Sequence, residues 1–141
     1  MNELPTELET AYRAAEYRVG NMRLRIGDKF DGMVAFHDAY GVVESAYVTA
    51  HNPASQATDA ASNAARQASL EHDIETAEFR YLQGIARDPN GVWPDEDGCL
   101  IFGIDVQQAR EFARRYGQLA FLHMGRDGVP QLMVVGGCER L

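Results

Sequence analysis

Apolar residues near the start of the chain follow first a helical spacing and then the alternation of strands. Leu8 and Tyr12 lie four residues apart in a stretch that predicts an amphipathic helix over residues 6–16. Thr6, with a glutamate three residues later, has the spacing of a capping box. Residues 17–26 alternate apolar and polar side chains on both sides of a Gly-Asn pair, which predicts a β-hairpin with a two-residue turn.

The middle of the chain combines the most apolar strand pattern with the clearest helix. Residues 42–50 are rich in β-branched and aromatic side chains, so we expect a strand that is buried on both faces. Residues 58–77 are alanine-rich and contain neither glycine nor proline, which predicts a long helix with Leu70 and Ile74 as its apolar contacts. A further short helix is predicted over residues 31–41.

Strands and one capped helix fill the rest of the chain. The helix begins at Asp105, where Gln108 completes a second capping box, and it ends at Gly117. A loop with two prolines and two glycines is predicted over residues 87–98. The remaining strands are predicted at residues 78–86, 99–104, 118–124 and 130–135.

This order of elements, α-β-β-α-β-α-β-β-α-β-β, predicts an α+β fold. Short connections between consecutive strands favour antiparallel neighbours, and the two long helices return the chain across the sheet. We therefore expect a mixed, mostly antiparallel sheet with helices packed largely on one face. The 141 residues contain no long linker, so a single domain over residues 1–141 is expected.

The charge balance and the apolar runs disfavour several functions. The net charge is −8, which argues against binding along a nucleic-acid backbone. No apolar run approaches the roughly 20 residues that span a bilayer, so no membrane partner is expected. The first residues lack the pattern of a signal peptide, which favours a cytoplasmic protein.

The two cysteines give little chemistry. Cys99 and Cys138 have neither a CxxC partner nor a nearby histidine, so we interpret both as small buried hydrophobes in a reducing compartment. No cofactor is expected.

Polar side chains collect where predicted strands, helices and loops meet. Amides offer both donors and acceptors, Arg66 could pair with a phosphate or carboxylate, and Trp93 could stack on a ring. If these segments converge at one end of the sheet, they form a cleft for a small polar or anionic ligand, a nucleotide-like one included. The candidate ligand-binding residues are Thr49, Asn52, Ser55, Asn63, Arg66, Trp93, Glu96 and Gln118.

The same residues also have a structural interpretation, and the sequence does not decide between the two. Asn52 followed by proline is a common way to open a turn, and Ser55 or Thr58 can cap the next helix. Arg66 can pair with Glu96 to hold the loop. Both readings stay open at this point.

Catalytic and metal-binding templates are not found in the sequence. There is no GxSxG, GxGxxG or Walker stretch, and the four histidines lack the spacing of metal ligands, so no metal site is expected. His51 is the best candidate for a general base, because it lies in a polar loop and imidazole titrates near neutrality. His123 alternates within an apolar strand and is expected to be an ordinary sheet residue. Whether the protein is an enzyme stays open.

The charge also leaves open a second functional class. An acidic chain without a catalytic template is compatible with a protein-interaction or inhibitory module, such as those carried by phages and mobile elements. A homo-oligomeric structural domain is a third alternative.

Several stretches resemble one protein family. They include "AYVTAHNPAS", "NAARQASLEHDI", "GIARDPNGVWPDE" and "ARRYGQLA", and together with shorter matches they cover nearly the whole chain in order. The chain thus resembles a bacterial family described as domain of unknown function 3293. The resemblance implies a small, stand-alone cytoplasmic domain of bacteria and their mobile elements, without an assigned activity.

The resemblance carries positions over to this chain, not roles. The residues that fall on the family pattern are Thr49, Asn52, Pro53, Ser55, Asn63, Arg66, Trp93, Glu96, Gly103 and Gln118. Two departures stand out: the family usually has a serine where this chain reads "EDGC", and it often has a polar residue where Leu119 follows Gln118. If those side chains touch a ligand in relatives, the site of this protein differs.

Overall fold

The structure, a computed structural model, describes residues 4–52 and 58–136. Within these ranges lie four helices: α1 (Thr6–Ala14), α2 (Asp31–Tyr40), α3 (Ala60–Thr76) and α4 (Val106–Arg115). The same ranges contain seven strands: β1 (Glu16–Val19), β2 (Met22–Leu24), β3 (Ser45–Thr49), β4 (Arg80–Arg87), β5 (Glu96–Phe102), β6 (Ala120–Met124) and β7 (Pro130–Val134). Helices and strands follow one another in the predicted order.

The strands form one sheet in the order β2-β1-β4-β5-β3-β6-β7. All pairings described between neighbouring strands are antiparallel. The predicted α+β class with a mostly antiparallel sheet is therefore confirmed. β3 lies inside the sheet, between β5 and β6, so the polar segment that follows β3 emerges near the middle of one sheet end.

Each face of the sheet carries its own apolar cluster. On one face, Val48 and Ile101 pack with Leu70 of α3 and Phe112 of α4. The helices that return the chain across the sheet thus share a face, as predicted. On the other face, side chains of β1, β3, β5 and β6 pack with Met33 of α2. The first four residues of β3 are buried, which confirms a strand enclosed on both sides.

β5 begins three residues earlier than predicted. Residues 96–98, assigned to a loop from their sequence, pair with β4 through Glu96↔Ala86, Asp97↔Ile85 and Gly98↔Gly84. The acidic and glycine residues have little strand preference of their own, and the register of β4 overrides it. Consequently Glu96 is held on a strand.

Two of the predicted helix caps are wrong and one is confirmed. α1 starts after Pro5 without a side-chain cap, so Thr6 is the first helical residue and not the cap. Asp59 caps α3 by accepting a hydrogen bond from the Ser62 backbone, in place of the predicted serine or threonine. The capping box that begins α4 at Asp105 is present as predicted.

Cys99 and His123, two residues with reactive side chains, are structural. Cys99 is fully buried, and burial raises the pKa of its thiol to about 12, which confirms a small core residue. His123 lies in β6 with its Nε2 3.0 Å from Glu44 Oε1, as expected for a sheet residue with a partner. Cys138 lies outside the described residues. None of the helices in residues 4–52 and 58–136 is long and apolar enough to cross a membrane.

Candidate functional site

A cleft of about 630 Å³ opens at the end of the sheet where β3 ends and where β5 and β6 begin. Its walls are α1, the first residues of α3, the ends of these strands and the loop that leads into β5. Six of the eight predicted residues line the cleft: Thr49, Asn52, Asn63, Trp93, Glu96 and Gln118. Arg66 is not part of this lining, and Ser55 lies outside the described residues.

Asn52 and Asn63 bind each other and close the base of the loop after β3. The backbone N–H of Asn52 donates to Asn63 Oδ1, and Asn63 Nδ2 donates to Asn52 Oδ1, both at 3.0 Å. Asn52 Oδ1 also accepts from the backbone N–H of Thr58 at 3.0 Å. Asn52 has a φ of 48°, a left-handed conformation that asparagine tolerates better than most residues. The two side-chain amides therefore make hydrogen bonds within the protein, and these bonds hold this wall of the cleft in place.

Arg66 joins three parts of the fold and does not face the cleft. Its Nε donates to the carbonyl oxygen of Ala50 at 2.7 Å, and its Nη2 donates to the carbonyl oxygen of Tyr116. Its guanidinium also lies over the Tyr116 ring, 5.7 Å from the centroid. The predicted pairing of Arg66 with Glu96 is wrong, because the guanidinium is occupied by backbone carbonyls at helix and strand ends.

Thr49 and Gln118 support the turn after β3. The Thr49 hydroxyl donates to the carbonyl oxygen of Asp97 at 2.6 Å and accepts from the His51 N–H at 3.1 Å. Gln118 Nε2 donates to the His51 carbonyl oxygen at 3.0 Å. Both side chains border the cleft while holding its rim in place.

Glu96 is the predicted residue whose environment points most clearly to a ligand. Among the described residues it receives one side-chain hydrogen bond, from Asn52 Nδ2 to Oε2 at 2.6 Å. Burial raises the pKa of its carboxyl, and the Asn52 bond only partly opposes this effect. No lysine or arginine is found among the described residues that line the cleft, so this carboxylate has no cationic partner there.

Tyr17 and Tyr47 form a corner of two aromatic rings in the cleft, which we call the tyrosine corner. The sequence does not predict it. Their ring centroids are 5.3 Å apart at an interplanar angle of 64°, and both residues are almost fully buried. Two glycines make room for the Tyr47 ring: a Cβ would lie 2.6 Å from its Oη at Gly98 and 2.8 Å from its Cε2 at Gly84. The glycines in "LQGIA" and "EDGC" are the sequence feature that indicates space for a large ring. Their pairing across β4 and β5 is a long-range contact, however, and the sequence does not predict it.

The Tyr47 hydroxyl makes no hydrogen bond with any described residue, although it is buried. An unpaired buried hydroxyl costs about 1–3 kcal/mol relative to a satisfied one. Such groups are rare in folded proteins and call for a partner or a function.

His51 gives the cleft a second polar atom that has no hydrogen bond to any described residue. Its Nε2 is buried and lies 3.8 Å from Asp97 Oδ2, beyond hydrogen-bond distance. Burial lowers the pKa of the imidazole and Asp97 only partly opposes the shift, which favours the neutral ring near pH 7. The proposed general base is thus a neutral, buried imidazole at the rim of the cleft.

Trp93 and α1 complete the apolar walls. Trp93 is half-buried, lines the cleft and packs against the cluster that contains Tyr17 and Tyr47. Leu8 and Tyr12 of α1 line the same cleft. No residue of α1 is buried, so this helix covers the cleft with side chains that still contact solvent. Nothing in the sequence indicated that the first helix would lie here.

Replacing Glu96 with glutamine is expected to stabilise the protein near neutral pH by roughly 1 kcal/mol, a modest value because the carboxyl keeps some contact with solvent. The folded-state pKa is raised, so the folded protein holds this proton more tightly than the unfolded chain. The ionised carboxyl therefore lowers stability as pH rises through the folded-state pKa. Urea titrations of both proteins from pH 4 to pH 8 measure the effect. A gain that grows with pH is expected, and a loss of stability at pH 8 would contradict the burial of this charge.

A sequence model of the family described as "Protein of unknown function (DUF3293)" matches residues 48–121, more than half of the chain and the segment that contains most of the cleft. No curated protein and no solved structure matches the chain. Within residues 4–52 and 58–136, no three His, Cys, Asp or Glu side chains are arranged to hold a metal ion.

Proposed function

The chain belongs to the DUF3293 family, and we propose that it binds a small polar ligand in the cleft at the end of β3. The ligand's polar group lies against Glu96, and its apolar part lies between the tyrosine corner, Trp93 and α1. The asparagine pair and Arg66 hold the walls of the cleft in place.

The observation that carries this proposal is that a buried carboxyl and two unpaired polar atoms line one cavity, which accounts for two of the four buried side-chain atoms without a hydrogen-bond partner among the described residues. Glu96 is a largely buried carboxylate without a cation among the described residues, while Tyr47 Oη and His51 Nε2 have no hydrogen-bond partner there. Folding alone disfavours such groups, and they cluster at functional sites. A volume of about 630 Å³ also falls in the range of small-molecule sites, roughly 300–1,000 Å³.

The ligand we propose is uncharged or cationic where it meets the protein. The sequence expectation of an anionic ligand depended on Arg66, whose guanidinium is engaged by the carbonyl oxygens of Ala50 and Tyr116. A nucleotide-like ligand remains within the proposal only through its base, since the described lining provides no cation for a phosphate.

The test is a thermal-shift screen of metabolites against the wild type and two matched variants. Ala64 is exposed and lines the cleft, so Ala64→Phe fills it; Ala65 is its exposed neighbour on the same helix and does not line it. A ligand at a hundredfold excess over its Kd stabilises by about 2.7 kcal/mol. We expect compounds that stabilise the wild type and Ala65→Phe but not Ala64→Phe. If no compound shifts the wild type, or if every shift survives Ala64→Phe, the proposal fails.

We further propose a cytoplasmic location. It is supported by the free, fully buried thiol of Cys99, which is compatible with a reducing compartment.

A protein partner is the second candidate function. Val92 precedes Trp93 in the chain and is 83% exposed, so its apolar side chain is accessible to a partner next to the cleft. Pull-downs from a bacterial host with the wild type, Val92→Ser and Ala64→Phe separate the candidates. A stoichiometric partner that is lost with Val92→Ser but retained by Ala64→Phe would favour an interaction module.

A further inference from the structure

We propose that the ligand of this cleft is a small organic cation, an apolar or aromatic body bearing an ammonium group that lies beside Glu96. This inference rests on the proposed function and assigns its ligand class. It is carried by charge, by the aromatic walls and by polar atoms of the lining that can accept hydrogen bonds.

The charges of the described lining are all negative. Asp95, Glu96 and Asp97 are its carboxylates, and no lysine or arginine is among its residues. Asp95 is partly compensated by Arg87, 3.7 Å away, in an exposed ion pair. Among the described residues Glu96 has no such partner, and it is the most buried charge of the lining, so a ligand cation would offset the cost of burying this carboxylate.

The aromatic walls suit the same ligand. Tyr17 and Tyr47 meet edge to face at 64° and present a corner of two rings, and Trp93 lies at the side of the cleft. Aromatic faces attract ammonium groups, most strongly where water is excluded. Burial raises the pKa of both tyrosines, and the negative charge of Glu96 adds a smaller rise, which favours the neutral phenols that such a wall requires.

The polar atoms of the cleft that lack a hydrogen-bond partner among the described residues can accept from an ammonium donor. A primary ammonium has three N–H donors. Glu96 offers its carboxylate oxygens, the Tyr47 hydroxyl offers unshared lone pairs, and a neutral His51 ring has one acceptor nitrogen.

The N-terminus of α3 is the one feature of the described cleft that favours an anion, and the Asp59 side chain already supplies a negative charge there. The first turn of α3 borders the cleft through Ala60, and helix N-termini attract negative charge. The Asp59 carboxylate accepts from the Ser62 N–H at this terminus and compensates its dipole. An anionic ligand would lie close to Asp59 and Glu96 together.

Three matched probes test the ligand class: benzylamine, benzyl alcohol and benzoate, which share a ring and differ in charge. Trp93 is the only tryptophan of the chain and borders the cleft, so its fluorescence reports binding directly. We expect benzylamine to bind at least about tenfold more tightly than benzyl alcohol, with benzoate weakest. Glu96→Gln should reduce the preference for the amine to about twofold or less. Glu111→Gln, an equal charge change at an exposed site on α4, should leave it unchanged.

The outcomes separate this inference from the proposed function. Equal binding of all three probes, or a preference for benzoate, overturns the cation and leaves the cleft as a binding site. A preference for the amine that survives Glu96→Gln also overturns it. If no probe binds up to its solubility limit, the cation inference fails, while the metabolite screen with Ala64→Phe decides the proposed function independently. A last arm compares butylamine with a short peptide that contains one lysine; either preference supports an ammonium, and the tighter binder identifies its source.

Discussion

Replacing Arg66 with alanine is expected to lower the free energy of unfolding by about 3 kcal/mol, the largest effect we expect from any single side chain at the cleft. Arg66 donates to the carbonyl oxygens of Ala50 and Tyr116, and so connects α3 to the end of β3 and to the end of α4. Hydrogen bonds from a charged donor contribute about 1.5–3 kcal/mol each, and alanine would leave both carbonyls without this partner. Chemical denaturation of the purified variant measures the loss.

Two further variants control the Arg66 measurement. Arg66→Lys keeps the charge, but an ammonium cannot span both carbonyls with the guanidinium's geometry, so an intermediate loss is expected. Arg13→Ala removes an exposed ion pair with Glu9 and should change stability by only about 0.3–0.5 kcal/mol. A loss below about 1 kcal/mol for Arg66→Ala would show that the guanidinium does not hold these three elements together.

Replacing Gly98 with alanine is expected to destabilise the protein by about 2–3 kcal/mol. The new methyl group would lie 2.6–2.8 Å from Tyr47 ring and hydroxyl atoms, closer than side chains can approach. Tyr47 is 3% exposed and packs against Tyr17, so its ring has little room to move except into the cleft. Overpacking of this kind typically costs about 1–3 kcal/mol. Equilibrium unfolding measures the loss.

A double-mutant cycle identifies Tyr47 as the cause of the Gly98 effect. The Gly98→Ala change should have little further effect in a Tyr47→Ala background, because the clash is then absent. Gly125→Ala serves as the matched glycine control: a Cβ there meets no atom within 4 Å, and no loss of stability is expected. If Gly98→Ala is as harmless as Gly125→Ala, the close packing of Tyr47 over β5 is contradicted.

The sequence predicts what depends on neighbouring residues. Three local features are present as predicted: the capping box at Asp105, the apolar pattern of β3 and the β1–β2 hairpin. The order of strands is not local: β1 pairs with β4 across more than 60 residues, and no short pattern encodes that contact. Residues 96–98 have a loop-like sequence for the same reason: their strand conformation comes from long-range pairing with β4.

The sequence predicts polar residues at the rim of the cleft, but it does not predict the aromatic residues inside it. Polar residues such as Asn52, Asn63 and Gln118 are conspicuous in sequence because they stand where apolar runs end, and they indeed border the cleft. Their hydrogen bonds, however, are largely used within the protein. The sequence does not predict the tyrosine corner, because Tyr17 and Tyr47 have the pattern of ordinary strand residues. Only the pairing of β1 with β4 and of β3 with β5 brings them to one cavity.

The stretch "TAHNPAS" illustrates both interpretations at once. The Thr49 hydroxyl bonds with Asp97 and His51, and the Asn52 backbone N–H donates to Asn63, so both residues have the structural partners that one interpretation expected. His51, between them, has a ring nitrogen without a hydrogen-bond partner among the described residues. Pro53 and Ser55 lie outside the described residues. Hydrogen-bonded walls around polar atoms that lack a partner among the described residues are an arrangement that suits preorganised binding.

The most direct test of the proposed site is the pKa of the Glu96 carboxyl, measured by carbon-detected NMR titration of selectively labelled protein with and without saturating benzylamine. Burial without a cation predicts a titration midpoint above that of an ordinary glutamate in the free protein. Addition of the amine should move that midpoint down, because a bound cation favours the ionised form. An ordinary midpoint in the free protein, unmoved by the amine, would contradict both the buried charge and its role in binding.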